Sequence, residues 1–275
     1  VRIGITTFVT DYTIDIVTLA RAVEERGFAS LYLAEHTHIP ASRQTPAPMG
    51  GELGREYSHL VDPFVALAAA AAVTESLTLG TGVSLVAEHD AVALAKQIAT
   101  LDNLCGGRFV LGVGYGWNRE EMATHGVDYA DRREIVRETV LLMKALWRDD
   151  EASFRGEHLQ LEPSWQWPKP LRRDVPVLLG GQAGPKFFDA ICDYADGWIP
   201  FGGAGLSKTL SELRALWADA GRDPAALRCV PFGTIPDEGK LEHYASLGID
   251  EVVLRIDEGS TDDVLRRLDR AAALR

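Results

Sequence analysis

Two hydrophobic periods alternate along the chain. Short apolar runs recur at Arg2–Thr6 (RIGIT), Ser30–Ala34 (SLYLA), Leu77–Val83 (LTLGTGV), the first half of Arg108–Trp117 (RFVLGVGYGW), Val177–Leu179, Gly197–Phe201 (GWIPF), Arg228–Phe232 and Glu251–Ile256. Their lack of polar alternation predicts strands covered on both faces, as in a parallel sheet. Between them, apolar positions return every three to four residues, as at Ile14, Val17, Leu19, Ala20 and Val23, and predict helices. Asp62 before Pro63, Asp90 and Ser207 read as N-caps, and Gly27 as a helix-ending glycine. Strands alternating with helices predict an α/β chain, and eight of them predict a TIM (β/α)8 barrel.

The same pattern predicts one barrel domain over 1–275 with two departures from the repeat. Residues 43–57 (RQTPAPMGGELGREY) are polar and rich in Gly and Pro, which predicts a long surface loop able to act as a lid. Residues 152–176 hold a hairpin pattern, Ala152–Phe154 and Glu157–Leu161 around Arg155-Gly156, followed by several prolines, and read as an insertion. A doubly wound sheet would use the same alternation. However, its dinucleotide fingerprint fails here, because the third glycine counted from Gly112 and Gly114 falls on Trp117.

Composition narrows the function. Hydrophobic residues make up 46% of 275 residues, enough for a large core, and the net charge is −12 without a basic cluster. That argues against nucleic acid and anionic membrane as partners and for a small-molecule substrate. The longest apolar run, Phe64–Val73, is too short to span a bilayer. Cys105, Cys192 and Cys229 are isolated, so neither a disulfide framework nor a cysteine zinc site is expected. With a first strand that is not preceded by a basic-then-apolar leader, this predicts a cytoplasmic protein.

Candidate chemistry gathers where the strands end, the face on which barrels build their sites. Strand two runs into Glu35-His36, strand three ends at Gly82-Val83, strand four at Gly114-Tyr115-Gly116-Trp117, and strand five at Gly180-Gly181-Gln182. His36 has the intrinsic pKa range for proton transfer near neutrality, though a histidine there can also serve a local carbonyl. Tyr32, Ala34 and His36 share one strand face and Glu35 the other. His36-x-His38 leaves open a metal site and a metal-dependent hydrolase. Glycines at strand exits allow close approach to the backbone, by a flat ligand or by a tight turn. The loop from Gly180 to Gly184 ahead of a helix at Pro185, with Lys186 nearby, is a candidate phosphate cradle. His89 next to the cap Asp90, the Glu120-Glu121 pair and His125 read as surface features.

Five segments in order, GFASLYLAEHTHIP, DPFVALAAAAAVTESLTLGTGV, GGRFVLGVGYGWNREE, PVLLGGQAG and ADGWIP, resemble the bacterial luciferase-like superfamily of flavin and deazaflavin oxidoreductases. The resemblance covers nearly the whole chain. It implies a luciferase-like TIM barrel with a tricyclic cofactor at the strand ends, either the deazaflavin coenzyme F-420 (F420) or FMN. It implies an acid–histidine pair facing the ring at Glu35 and His36, both catalytic. It also implies a cis peptide behind the ring at Gly82-Val83, a cofactor wall at Gly114, Tyr115, Gly116 and Trp117, with Trp198 as a further pocket wall, and a phosphate cradle at Gly180, Gly181 and Gln182. A glutamate found in sugar-phosphate dehydrogenase relatives is replaced by Trp117, which points away from sugar phosphates. The resulting expectation is hydride transfer between F420 and a small organic substrate by a homodimer. The alternative is an FMN-dependent monooxygenase fed reduced flavin by a partner reductase.

Overall fold

The computed structural model describes residues 1–48, 50–203, 205–234 and 237–274. The chain proceeds β1 (Arg2–Thr6), α1 (Ile16–Glu25), β2 (Ser30–Leu33), α2 (Pro63–Ala71), β3 (Thr78–Thr81), α3 (Ala91–Leu104), β4 (Phe109–Val113), α4 (Arg119–Thr124) and α5 (Arg132–Arg148). A hairpin, β5 (Ala152–Arg155) and β6 (Gln160–Ser164), follows. Then come β7 (Val177–Gly180), α6 (Pro185–Tyr194), β8 (Gly197–Ile199), α7 (Leu206–Asp219), β9 (Arg228–Cys229), β10 (Phe232–Thr234), α8 (Glu238–Ser246), β11 (Glu251–Arg255) and α9 (Thr261–Ala272).

One parallel sheet runs β10-β11-β1-β2-β3-β4-β7-β8-β9. Its two ends are halves of the predicted seventh strand, interrupted where Pro231 has no N–H to donate. The ladder nevertheless continues across the break. Val230 N–H donates to Trp198 O (2.9 Å), Phe232 N–H to Pro200 O (2.9 Å), and Val253 N–H to Pro231 O (2.8 Å) on the other side. The sheet therefore curls round and meets itself, as the eight-strand barrel pattern predicts.

The strands are buried on both faces because two cores flank them. Tyr32, Val110, Leu178, Ile199, Val230, Phe232 and Val253 pack together inside the curled sheet, with Val83 against them at the mouth. The larger core lies between sheet and helices and includes Leu31, Leu79, Leu111, Leu179 and Trp198. Trp198 is thus not a pocket wall. Strand alternation turns Ile199 inward and Trp198 outward, where it packs on Phe187 and Phe188 with ring centroids 6.4 and 5.5 Å away.

Most helix punctuation follows the sequence. Asp62 accepts from Val65 N–H (2.8 Å) and Asp90 from Ala93 N–H (2.7 Å), while Gly27 has φ 69°. Ser207 is not a cap. The helix α7 starts one residue earlier, after Gly205 in a left-handed conformation at φ 71°. The hairpin's second strand also starts later than its pattern predicts. The buried Glu138 carboxylate accepts the N–H groups of Glu157 (2.5 Å), His158 (2.9 Å) and Leu159 (2.7 Å), and this holds those residues as the turn. After the hairpin, residues 165–171 lie along α3, where Gln166 Nε2 donates to Val92 O (2.9 Å) and Asn103 Nδ2 to Lys169 O (2.7 Å).

Residues 43–48 and 50–57 form a partly exposed segment at the mouth, with Met49 outside the described residues. Its end is tied down by Tyr57, whose ring lies 5.1 Å from that of Phe8 and 5.6 Å from that of His36. Among the described residues no helix is long and apolar enough to cross a membrane.

Candidate active site

The end of β2 separates its two ionisable residues as strand parity requires. Tyr32 points into the barrel, so His36 falls on the mouth side and Glu35 on the opposite face. Glu35 is buried, and its carboxylate accepts from Ser84 Oγ (2.5 Å), Leu85 N–H (2.7 Å) and His89 Nε2 (2.8 Å). Burial pushes this carboxyl up, but the His89 contact and the two other donors outweigh it and hold it below the usual range. Burial likewise depresses His89, and the Glu35 carboxylate outweighs that and raises it. Glu35 therefore ties the strand-two end to the loop after β3; it does not touch His36. His89 belongs to this pair as well as preceding a cap.

The carboxylate on His36 is Glu121. Its Oε2 lies 2.7 Å from His36 Nδ1 and its Oε1 accepts from Thr37 N–H at 3.1 Å. Far from being a solvated helix-end residue, Glu121 is 0% exposed. Asn118 caps α4 by accepting from Glu121 N–H (3.3 Å), and this places Glu121 in the helix's first turn beside strand two. The Asn118-x-x-Glu121 spacing, a capping-box pattern, was the available signal. Its expected target is the helix's own N-terminus, however, and not a histidine 85 positions away. With Glu121 ionised, His36 Nδ1 carries the ring proton and Nε2 is an acceptor. Trp117 Nε1 donates to that Nε2 at 3.3 Å. The rings of Trp117 and Tyr57 each lie 5.6 Å from the imidazole, so His36 sits in an aromatic frame at the mouth.

The Gly82–Val83 peptide is cis, as the resemblance implies. Around it the strand-end glycines have specific tenants. A Cβ on Gly114 would lie 2.5 Å from Val83 Cγ2, and one on Gly180 2.8 Å from Val83 Cγ1. The space these glycines leave is therefore occupied by the Val83 side chain, which becomes the apolar floor of the mouth. Phe232 closes the floor behind Gly82, and Phe201, 55% exposed, stands beside Gly180. Gly116 is glycine for its conformation, with φ 75°. Tyr115 turns away from the mouth. Its hydroxyl meets that of Tyr194 (2.9 Å) and its face meets the Arg133 guanidinium (4.7 Å), so of the predicted wall residues it is not one that faces a ligand there.

The predicted phosphate cradle is partly committed elsewhere. Gly181 N–H donates to Ile199 O (3.3 Å), its carbonyl accepts from Trp198 Nε1 (2.9 Å), and a Cβ there would meet Phe187 at 2.6 Å. Gln182 and Ala183 are exposed, and α6 begins at Pro185 without a side-chain cap. What remains for an anion is the uncapped helix end.

Two further features were not legible as site residues. Glu88 is 7% exposed, and neither carboxylate oxygen has a hydrogen-bond partner among the described residues. Burial, then the charges of Glu121 and Glu35, push its pKa up to about 8. His125 Nε2 lies 3.8 Å from Glu88 Oε2 and 2.8 Å from Thr37 Oγ1, which also meets His38 Nδ1 at 3.0 Å. His36 and His38 are thus engaged separately, and among the described residues no group of three His, Cys, Asp or Glu could hold a metal ion.

The mouth therefore combines an apolar floor (Val83, Phe232, Phe201) with a polar wall (His36, Trp117, Tyr57). This fits a flat, amphipathic ring with one edge against a proton-carrying group. Comparison with known proteins points the same way. The family described as Luciferase-like monooxygenase matches residues 9–236. An uncharacterized protein of Mycobacterium tuberculosis is 40% identical over 274 residues, covering 98% of this chain and 97% of its own. The F420-dependent hydroxymycolic acid dehydrogenase of the same species is 27% identical over 84% of this chain and 62% of its own. The crystal structure of monooxygenase RslO1 from Streptomyces bottropensis superposes with a TM-score of 0.78 at 17% identity, covering 99% of this chain and 98% of that one.

Proposed function

The chain belongs to the luciferase-like monooxygenase family, and from that premise we propose that it is an oxidoreductase that holds coenzyme F420 at the strand-end mouth and transfers hydride between it and a small organic substrate. The observation that carries this reading is the His36–Glu121 pair, 2.7 Å apart at the edge of an apolar platform. When bound, the deazaflavin ring supplies the hydride chemistry. The protein's part is binding, orientation and proton handling. Val83 and Phe201 would present apolar surface to the ring, and Trp117 and Tyr57 would flank its edge. His36 Nε2, held as an acceptor by Glu121 on the other nitrogen, takes a proton from a substrate hydroxyl that displaces the Trp117 N–H, as hydride leaves the carbon bearing that hydroxyl, or returns the proton in the reverse direction. Glu35 acts at one remove by fixing Ser84 and Leu85 and hence the floor that Val83 forms. The described residues of 43–57 close over the mouth through Tyr57 and exclude water.

The test is a pair of fluorescence titrations of the apo-protein, with F420 and with FMN. Micromolar F420 binding with FMN at least tenfold weaker is expected. Tighter FMN binding would replace this reading with an FMN-dependent monooxygenase supplied by a reductase. A hydroxylated-substrate screen with His36→Ala as control then reads turnover, and unchanged turnover in that variant would remove His36 from the reaction.

A further inference from the structure

The mouth has a second concavity on the side away from His36. A cavity of about 290 Å³ is lined by Gly202 and Gly203 after β8, Gly233 and Thr234 of β10, and Lys240, His243 and Tyr244 of α8. It adjoins the proposed cofactor floor. Phe201 pairs with Phe232 across the sheet closure, and Gly202 N–H reaches Phe232 O (3.5 Å).

The chemistry of its lining is one-sided. Lys240 and His243 project from one face of α8, three positions apart. Among the described residues neither has an ion-pair partner, and no carboxylate lines the cavity, although the chain as a whole carries a net charge of −12. The Thr234 hydroxyl is buried, 4% exposed as a residue, and has no partner among the described residues. Gly203 brings backbone close to the Tyr244 hydroxyl, since a Cβ there would lie 2.2 Å from that oxygen. The helix end is not the attraction, because Asp237 already caps α8 by accepting from Lys240 N–H (2.9 Å). A lysine ammonium, an imidazole, two hydroxyls and glycine backbone around a small concavity describe a receptor for a tetrahedral or planar oxyanion.

We propose that this cavity binds a phosphate or carboxylate group, with Lys240 as its charged donor and His243 and Thr234 as further hydrogen-bond donors. It would serve the anionic end of a molecule whose reacting ring or carbon lies over Val83, either the cofactor's phosphate or an acidic substituent of the substrate. The oxidoreductase reading enters only in naming that molecule; the anion site itself does not depend on it. The Gly180–Gly184 loop, with Gly181 already hydrogen-bonded into the sheet, then need not supply the whole phosphate contact.

The experiment titrates wild type and the double variant Lys240→Ala/His243→Ala with inorganic phosphate, followed calorimetrically at low ionic strength. Both residues are exposed, and thermal melting checks that the variant folds. Phosphate binding by wild type, weakened about tenfold or more in the variant, supports the site. Equal binding by both proteins, or none by wild type, overturns it. Titration with FMN and with riboflavin, which lacks the phosphate, separates the sources. A loss of FMN affinity with riboflavin unchanged assigns the site to the cofactor. Unchanged affinity for both, with phosphate binding lost, assigns it to an anionic substrate. If neither F420 nor FMN binds but the phosphate difference persists, the anion site stands and the oxidoreductase reading falls.

Discussion

Glu121 Oε2 sits 2.7 Å from His36 Nδ1, while its other oxygen accepts Thr37 N–H at 3.1 Å. The backbone contact fixes which oxygen faces the imidazole, so one carboxylate sets both the orientation and the tautomer of the histidine. In Glu121→Gln the amide carbonyl stays on Thr37 N–H, and the NH2 then faces His36 Nδ1. This moves the ring proton to Nε2 and sets it against the Trp117 N–H. Turnover is expected to fall roughly 10- to 100-fold with cofactor affinity nearly unchanged. Steady-state kinetics across pH, beside cofactor titration, check this. Wild-type turnover with an unshifted pH profile would leave Glu121 a structural residue only.

The Glu35–His89 pair is expected to give stability a pH window. Glu35 is held below its ordinary value of 4.5, so its contribution is full above that value and is lost as pH falls through its folded pKa. His89 is raised above 6.5, so its contribution is full below that value and is lost as pH rises through its folded pKa. The stability difference between wild type and His89→Gln should peak between these two values, at about 1–3 kcal/mol for a buried charge-assisted contact. Urea denaturation at a series of pH values reads it, and a flat difference would contradict the pairing.

Glu88 has the opposite sign. Its pKa is raised from 4.5 to about 8, so the folded state holds a proton there that the unfolded chain releases. Stability should fall as pH rises through this interval and level off above it. Glu88→Gln, which keeps the shape and removes the titration, should be more stable than wild type at pH 9. The gain should be on the order of 2–4 kcal/mol, and it should vanish near pH 4. Equal stability of the two proteins at both pH values would mean that Glu88 ionises freely.

Gly114 leaves room for Val83 and for little else. In Gly114→Ala the new methyl carbon would start 2.5 Å from Val83 Cγ2, so the floor must shift, at a cost of about 1–3 kcal/mol and with weaker cofactor binding. Adding Val83→Ala should recover much of the stability, because it removes the clashing methyl groups. A double-mutant cycle by thermal melting measures the coupling. Additive effects would show that the two side chains do not compete for one space.

The sequence by itself determined the barrel and the place of its mouth. Short apolar runs bounded by turn residues read as strands covered on both faces, and Asp62-Pro63, Asp90 and Gly27 mark helix ends through contacts made within a few residues. Those signals are local, so they survive without a structure. Strand parity even separated His36 from Glu35. Partner choice was decided only by the tertiary structure. Glu121 reads as a solvated helix-end residue until folding brings α4 against the end of β2, and Glu35 reads as the histidine's partner until the loop after β3 offers it three donors. Gly114 and Gly180 look like space for a ligand until Val83, from the loop after β3, occupies it. Trp198 and Tyr115 looked like pocket walls because an aromatic near a strand end gives no hint of which layer it will pack into. The deciding contacts span from ten residues for Trp198 to 85 for Glu121 and more for Gly180, and the energy that selects them, burial of a carboxylate with donors or of a ring against other rings, exists only once the chain has closed.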